Sequence, residues 1–337
     1  MVRHRGMSAM AVSLQSAIAE SGWADHPPGD PQSAGDYIAL LTRLYDIGRR
    51  DLPLGRLVEG HVDAVQIVQR YGSTTQVDRL KYLLAKGATL GVWNASLAGE
   101  AVRLDGDRLT GGKSYASGAG VLSHALVTVD RPSGPQLLLL DLARVVPLID
   151  RDWWRVTGMQ RSETHQVRWD GALIEEADRI GAPGLYAREP FFSGGALRFV
   201  AVHAGGMAGI FDQARAHLVE TGRAEDPFQS ARLAELFGLA DSAAAILRRT
   251  ARLWFEETAG DEARLARVAA ARLAVTDAAE RAIMVAREAV GLAGQFVQHP
   301  LSALLSDLAV YLRQPAPDAQ RLRVGRAAQQ GLLVPSL

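Results

Sequence analysis

The hydrophobic period of this 337-residue chain changes twice, and the order of those changes constrains its fold more than its composition does. Between residues 12 and 87, the stretches DYIALLTRLYDIGRR, GHVDAVQIVQRYG and TQVDRLKYLLAKG place apolar residues three or four apart, with Gly at an end. That is the spacing of amphipathic helices. From about Gly87, TLGVWNASL, AVRLDGDRLTGGKSYASG, HALVTVDRPSGPQLLLLDL and HQVRWDGALI alternate or run in β-branched residues. Asp105-Gly106 and Ser133-Gly134 fall where tight hairpin turns belong.

After the loop GAPGLYAREPFFSGGA (Gly181–Ala196) the helical period returns. Leu233, Phe237, Ala240, Ala244, Leu247, Ala251 and Trp254 step by four and three alternately, the spacing of a long bundle helix. Val275, Ala279, Ala282, Ala286 and Ala289 repeat it with small side chains that allow close helix approach. The chain therefore reads as α+β: a helical N-terminal domain over 1–87, a β domain over 88–185 and a helical bundle over 186–337.

Charge excludes some functions. Lys plus Arg equals Asp plus Glu at 37 each, so no overall field recruits nucleic acid or an anionic membrane. No uninterrupted 18-residue apolar stretch stands out, and the reading is a cytoplasmic protein. The chain has no cysteine, which excludes disulfides, thiolate metal sites and a cysteine nucleophile.

Common catalytic motifs are absent too. LTGGKSYASGAG (Leu109–Gly120) is no phosphate loop, because Lys113 precedes the serines and no GxxxxGK[ST] pattern is present. It lacks the βαβ context of a dinucleotide fingerprint, and on spacing alone it is a glycine-rich turn between strands. The histidines form no metal-binding spacing, and GxSxG is missing. Trp93-Asn94 and Tyr115 with Ser117 are aromatic and polar pairs on strands, equally suited to packing and to flanking a planar ring.

Three segments, in order, carry a resemblance. GGKSYASGAG is similar to a G-x-K-x-[WYF]-x-[ST]-x-[GA] strand, WRVTGMQRSETHQVRWDG to a W-x-x-x-G-M-R-x-[ST] segment, and PLSALLSDLAVYL to a P-[LV]-x-x-x-x-R-D-x-x-x-Y helix. Together they resemble the acyl-CoA dehydrogenase superfamily of flavoproteins, from roughly His61 to Gly325. The resemblance implies a shortened helical N-terminal domain, a central β-barrel-like domain and a C-terminal four-helix bundle. It implies FAD as cofactor, with Trp93, Asn94, Tyr115 and Ser117 at the flavin. Arg223 and Phe228 would reach the pyrophosphate and adenosine of a neighbouring subunit, although their spacing is two residues longer than the family's. Gly291 and Gly294 match the family's adenine-end turn loosely. Because such sites span subunits, the resemblance implies a homodimer or homotetramer acting on a small-molecule or acyl-thioester substrate.

The family's dehydrogenases remove an α-proton with a glutamate from one of two places. Here Leu197, beside Arg198, occupies one and Pro315 the other, and Ser306 replaces the arginine before Asp307. Glu189, Glu225, Asp226 and His165 are possible substitutes. The resemblance thus implies an FAD-dependent oxidoreductase lacking the usual base. Two alternatives remain on the same fold: a flavin-dependent monooxygenase, which needs no such base, and a non-catalytic partner of an active relative.

Overall fold

The computed structural model describes residues 8–258 and 260–335. Four helices come first: α1 (Ala9–Glu20), α2 (Ala34–Arg50), α3 (Leu52–Tyr71) and α4 (Thr74–Ala85). The strands are β1 (Leu90–Trp93), β2 (Arg103–Asp105), β3 (Arg108–Ala116), β4 (His124–Val129), β5 (Gln136–Asp141), β6 (Leu148–Asp150), β7 (His165–Leu173) and β8 (Arg179–Ile180). Helices then resume: α5 (Phe191–Gly194), α6 (Ala196–Glu220), α7 (Pro227–Glu256), α8 (Asp261–Val290), α9 (Pro300–Tyr311) and α10 (Pro317–Gln329). The α+β class and the order of helices, strands and helices are those read from the periodicity.

Contacts gather into two compact units that do not follow the ranges 1–87, 88–185 and 186–337. Of the described residues, the first holds those up to Asp30, Arg56–Arg155 and Gln160–Arg188; the second holds Pro31–Gly55, Val156–Met159 and those from Glu189 onward. Residues 31–55 join the bundle because α2 meets α6 through glycines. A methyl group on Gly48 would press on the Val202 carbonyl, and one on Gly205 would overlap the Tyr45 carbonyl.

In the first unit, a four-stranded sheet in the order β1-β4-β5-β8 covers a core shared with α3 and α4, built from Val65, Val68, Leu80, Leu84, Leu126 and Leu137 among others. Ser73 starts α4 with a capping box, its side chain and that of Gln76 each taking the other's backbone amide. A second sheet runs β2-β3-β7-β6. Lys113 is buried between the two, donating to the Asn94 carbonyl at 3.0 Å and to Thr128 Oγ1 at 2.8 Å. Burial pulls its pKa down to about 8.

In the second unit, α6, α7, α8 and α9 form the bundle, with α2 and α10 laid against it. The run Phe191–Glu220 is long and apolar enough to cross a membrane, but 78% of its most apolar window is buried inside the protein. Its hydrophobicity is that of a central bundle helix.

Candidate functional site

The side chains that the sequence singles out gather at one place in the first unit and at two in the second. In the first, β3 pairs antiparallel with β7, and the register slips between Lys113 and Ala116. There Tyr115 takes a left-handed backbone, φ 53°, and its ring leaves the sheet, 59% exposed. It meets Trp153 edge-on at 4.9 Å and Trp154 at 6.2 Å, and the two indoles lie tilted 5.8 Å apart. The result is an aromatic ledge at the end of the β3 bulge.

Hydroxyls adjoin this ledge. Ser117 Oγ accepts a hydrogen bond from Thr164 Oγ1 at 3.0 Å, and Thr164 Oγ1 lies 2.8 Å from Ser162 Oγ. The Ser117 amide donates to the Tyr115 carbonyl at 2.9 Å, which closes the turn. The Trp93 ring is buried, and its indole N–H donates to the Ser117 carbonyl at 2.9 Å. It braces Ser117 from beneath. Asn94 is exposed, and its side-chain amide donates to the Tyr186 hydroxyl.

In the second unit, Leu197 is fully buried on the first turn of α6, and the neighbouring Arg198 is buried as well. Pro315 is exposed in the turn between α9 and α10, where Ala316 is left-handed and Pro317 starts the next helix. Arg272 of α8 ties these segments together. Its Nη2 donates to the Pro315 carbonyl at 2.6 Å, and its guanidinium lies over the Phe199 ring, 5.5 Å from the centroid. Phe199 continues into His203, 5.4 Å away, and His203 into Tyr311 at 4.5 Å. Sequence reasoning missed Arg272, which sits within the alanine-rich run AARLAV of α8.

Of the four possible substitutes for the missing base, Glu225 is exposed, and the other three have structural occupations. Asp226 caps α7, accepting from the Phe228 and Gln229 amides at 3.1 and 3.0 Å. Glu189 accepts from the Ser193 amide at 2.9 Å, and His165 pairs with Glu163 at 3.1 Å. Asp307 accepts from the Met159 amide, while Gly158 packs so tightly on the Ser306 carbonyl that a methyl group there would overlap it. The G-M and S-D motifs, far apart in sequence, are the two sides of one contact.

At another point of the second unit, Arg223 meets the C-terminal end of α8. Arg223 Nη2 donates to the Ala289 carbonyl at 3.5 Å. Gly291 ends α8 with φ 73°, and Gly294 is buried in the 3-10 turn Gly291–Gln295 that follows. The two segments expected at the adenine end are thus neighbours. Beside Arg223, Phe228 is 74% exposed.

No protein-family model matches the sequence, and no curated protein matches it by sequence. Solved structures do match its fold. Dibenzothiophene monooxygenase TdsC from Paenibacillus sp. A11-2 is 18% identical with a TM-score of 0.76, covering 96% of each chain. Glutaryl-CoA dehydrogenase from Mycobacterium smegmatis is 15% identical, with the same TM-score of 0.76 and coverage of 96% of each chain. Methanesulfinate monooxygenase MsuC from Pseudomonas fluorescens is 15% identical, covering 98% of this chain and 99% of its own at TM-score 0.76. The fold is the acyl-CoA dehydrogenase-like fold, as the resemblance implied.

Proposed function

We propose that the chain is a cytoplasmic flavin-dependent oxidoreductase, with FAD as its flavin, that works without the carboxylate base of an acyl-CoA desaturase. The observation that carries the flavin reading is the ledge formed by exposed Tyr115 and half-buried Trp153 and Trp154, with Tyr115 held out of the sheet by a strained turn beside the Ser117 and Thr164 hydroxyls. Planar apolar faces with adjoining donors fit an isoalloxazine ring. A strained turn that exposes a tyrosine has no packing purpose of its own.

Bound flavin would supply two-electron redox chemistry. This chain's own residues would stack against the ring through Tyr115 and the two indoles and donate to it from Ser117. Arg223, with Phe228, Gly291 and Gly294 around it, would meet the phosphates and the adenosine, which is the part that distinguishes FAD from FMN. Both FMN and indole have been seen bound to TdsC.

A second observation favours oxygenation over desaturation. Leu197 on the first turn of α6 and Pro315 in the α9–α10 turn carry no titratable group, and the side chain that meets Pro315 and Phe199 there is a cation, Arg272. A cation there cannot take an α-proton from a substrate. Two of the fold relatives, TdsC and MsuC, are monooxygenases.

The purified protein is expected to show the two visible absorption bands of a flavin, and the released cofactor to run as FAD on a column. A colourless protein that FAD does not reconstitute would overturn the reading and favour a non-catalytic partner. Mixed anaerobically with acyl-CoAs, the flavin is expected to stay oxidised; bleaching would restore the dehydrogenase reading.

A further inference from the structure

Arg272 has an unusual electrostatic position for a half-buried cation. Among the described residues its hydrogen bond goes to a neutral carbonyl, that of Pro315, and its guanidinium face lies over Phe199. Three of the four other arginines of α8 have acidic partners, Arg264 with Asp261 at 2.7 Å, Arg267 with Glu257 at 2.6 Å and Arg281 with Glu235 at 2.5 Å, and the fourth, Arg287, is exposed to solvent. Among the described residues no carboxylate pairs with Arg272. Burial lowers its pKa with no neighbouring charge to oppose the shift.

A packed arginine that only braced a turn would gain more from a carboxylate partner than from a carbonyl, since charge-assisted hydrogen bonds are the stronger kind. Here the ring and the carbonyl fix the orientation of the guanidinium and leave four of its five N–H groups for other acceptors. That fork matches the paired oxygens of a carboxylate, sulfinate or sulfonate. The ring of Phe199, partly exposed beneath it, offers an apolar surface for the body of such a molecule.

We propose that Arg272 and Phe199 form a binding site for a small organic anion, Arg272 taking the acidic head group and Phe199 the carbon body. The proposal names the substrate class of the oxidoreductase described above and rests on that reading only for the word substrate. Binding itself is measurable without turnover.

The test is calorimetric titration of the full chain, as purified, with hexanesulfonate, hexanoate and hexan-1-ol. Both anions are expected to bind at least ~10-fold more tightly than the alcohol, the worth of one charge-assisted hydrogen bond. Arg272→Gln is expected to abolish that preference while leaving alcohol binding unchanged, and Arg272→Lys to keep part of it. A wild-type protein that binds alcohol and anions alike overturns the proposal, and so does an Arg272→Gln protein with undiminished anion preference. Should Arg272→Gln fail to fold, the wild-type comparison decides alone. Flavin content is read separately from the visible spectrum. A colourless protein with a clear anion preference would remove the flavoenzyme reading and keep the site, and a yellow protein without that preference would do the reverse.

Discussion

His61 shows how one buried side chain sets a pH limit on the fold. It is fully buried, its Nδ1 accepts from the Leu90 amide at 3.1 Å, and burial pushes its pKa from 6.5 down to about 4. Accepting at Nδ1 requires the neutral ring. As pH falls below 6.5 the unfolded chain takes up the proton first, so stability is intact above that value and declines down to about 4. The full loss is roughly 3 kcal/mol at most. Urea unfolding followed between pH 7.5 and 4.5 is expected to be flatter for His61→Asn, which keeps an acceptor without a titrating group; an unchanged slope would show that carboxylates elsewhere set the acid limit. In sequence His61 was only one of several scattered histidines, because its burial depends on β1 arriving from 29 positions away. Tyr115 and Ser117 stand out in the sequence because a local motif carries them, and the structure puts them on one turn. The burial of Trp93 and its hydrogen bond to the Ser117 carbonyl were not legible, since strand alternation does not say which face is covered. Arg272 was not legible at all: its character comes from Phe199 on one helix, Pro315 in a distant turn and, among the described residues, the lack of a carboxylate paired with it.

At the scale of elements, two glycines that look alike in sequence have opposite structural value. Gly158 lies against the Ser306 carbonyl and the Asp307 amide at the middle of α9, with no room for a methyl group. Gly325 stands exposed within α10, where an added methyl group would meet nothing within 4 Å. Gly158→Ala is expected to cost about 1–3 kcal/mol through overpacking against backbone that cannot yield. Gly325→Ala is expected to stabilise by about 0.5–1 kcal/mol, because alanine loses less entropy in a helix. Thermal unfolding of the two variants beside the wild type checks both signs; equal shifts in one direction would refute the packing argument. Helical period and turn residues made most elements legible, including the hairpin at Gly106 and the one at Gly134, both left-handed in the structure. Periodicity did not show that α2 belongs with the bundle. That follows from complementary glycines on α2 and α6, separated by the whole β section, whose fit no local pattern contains.

For the whole molecule, the informative combination is zero formal net charge with exposed apolar side chains around the Arg223 region. Phe228 is followed, at the turn after α8, by Leu292, Phe296 and Val297, all exposed and the last 92% so. A neutral chain has no long-range repulsion to keep copies apart, and clustered apolar side chains of this size mark an association surface more often than a solvated one. We therefore expect a homodimer or larger assembly closed through this surface, with FAD retention depending on it because Arg223 and Phe228 lie within it. Light scattering is expected to give at least twice the mass of one chain. Val297→Asp combined with Phe228→Ser is expected to lower that mass and release flavin together, while Tyr82→Ser, which removes an exposed aromatic from α4, changes neither. A double variant that becomes monomeric yet keeps its flavin would separate the two properties and confine the cofactor to a single chain. A wild-type monomer with a full complement of FAD would remove the association surface altogether, leaving Phe228 and Val297 as exposed side chains that nothing covers.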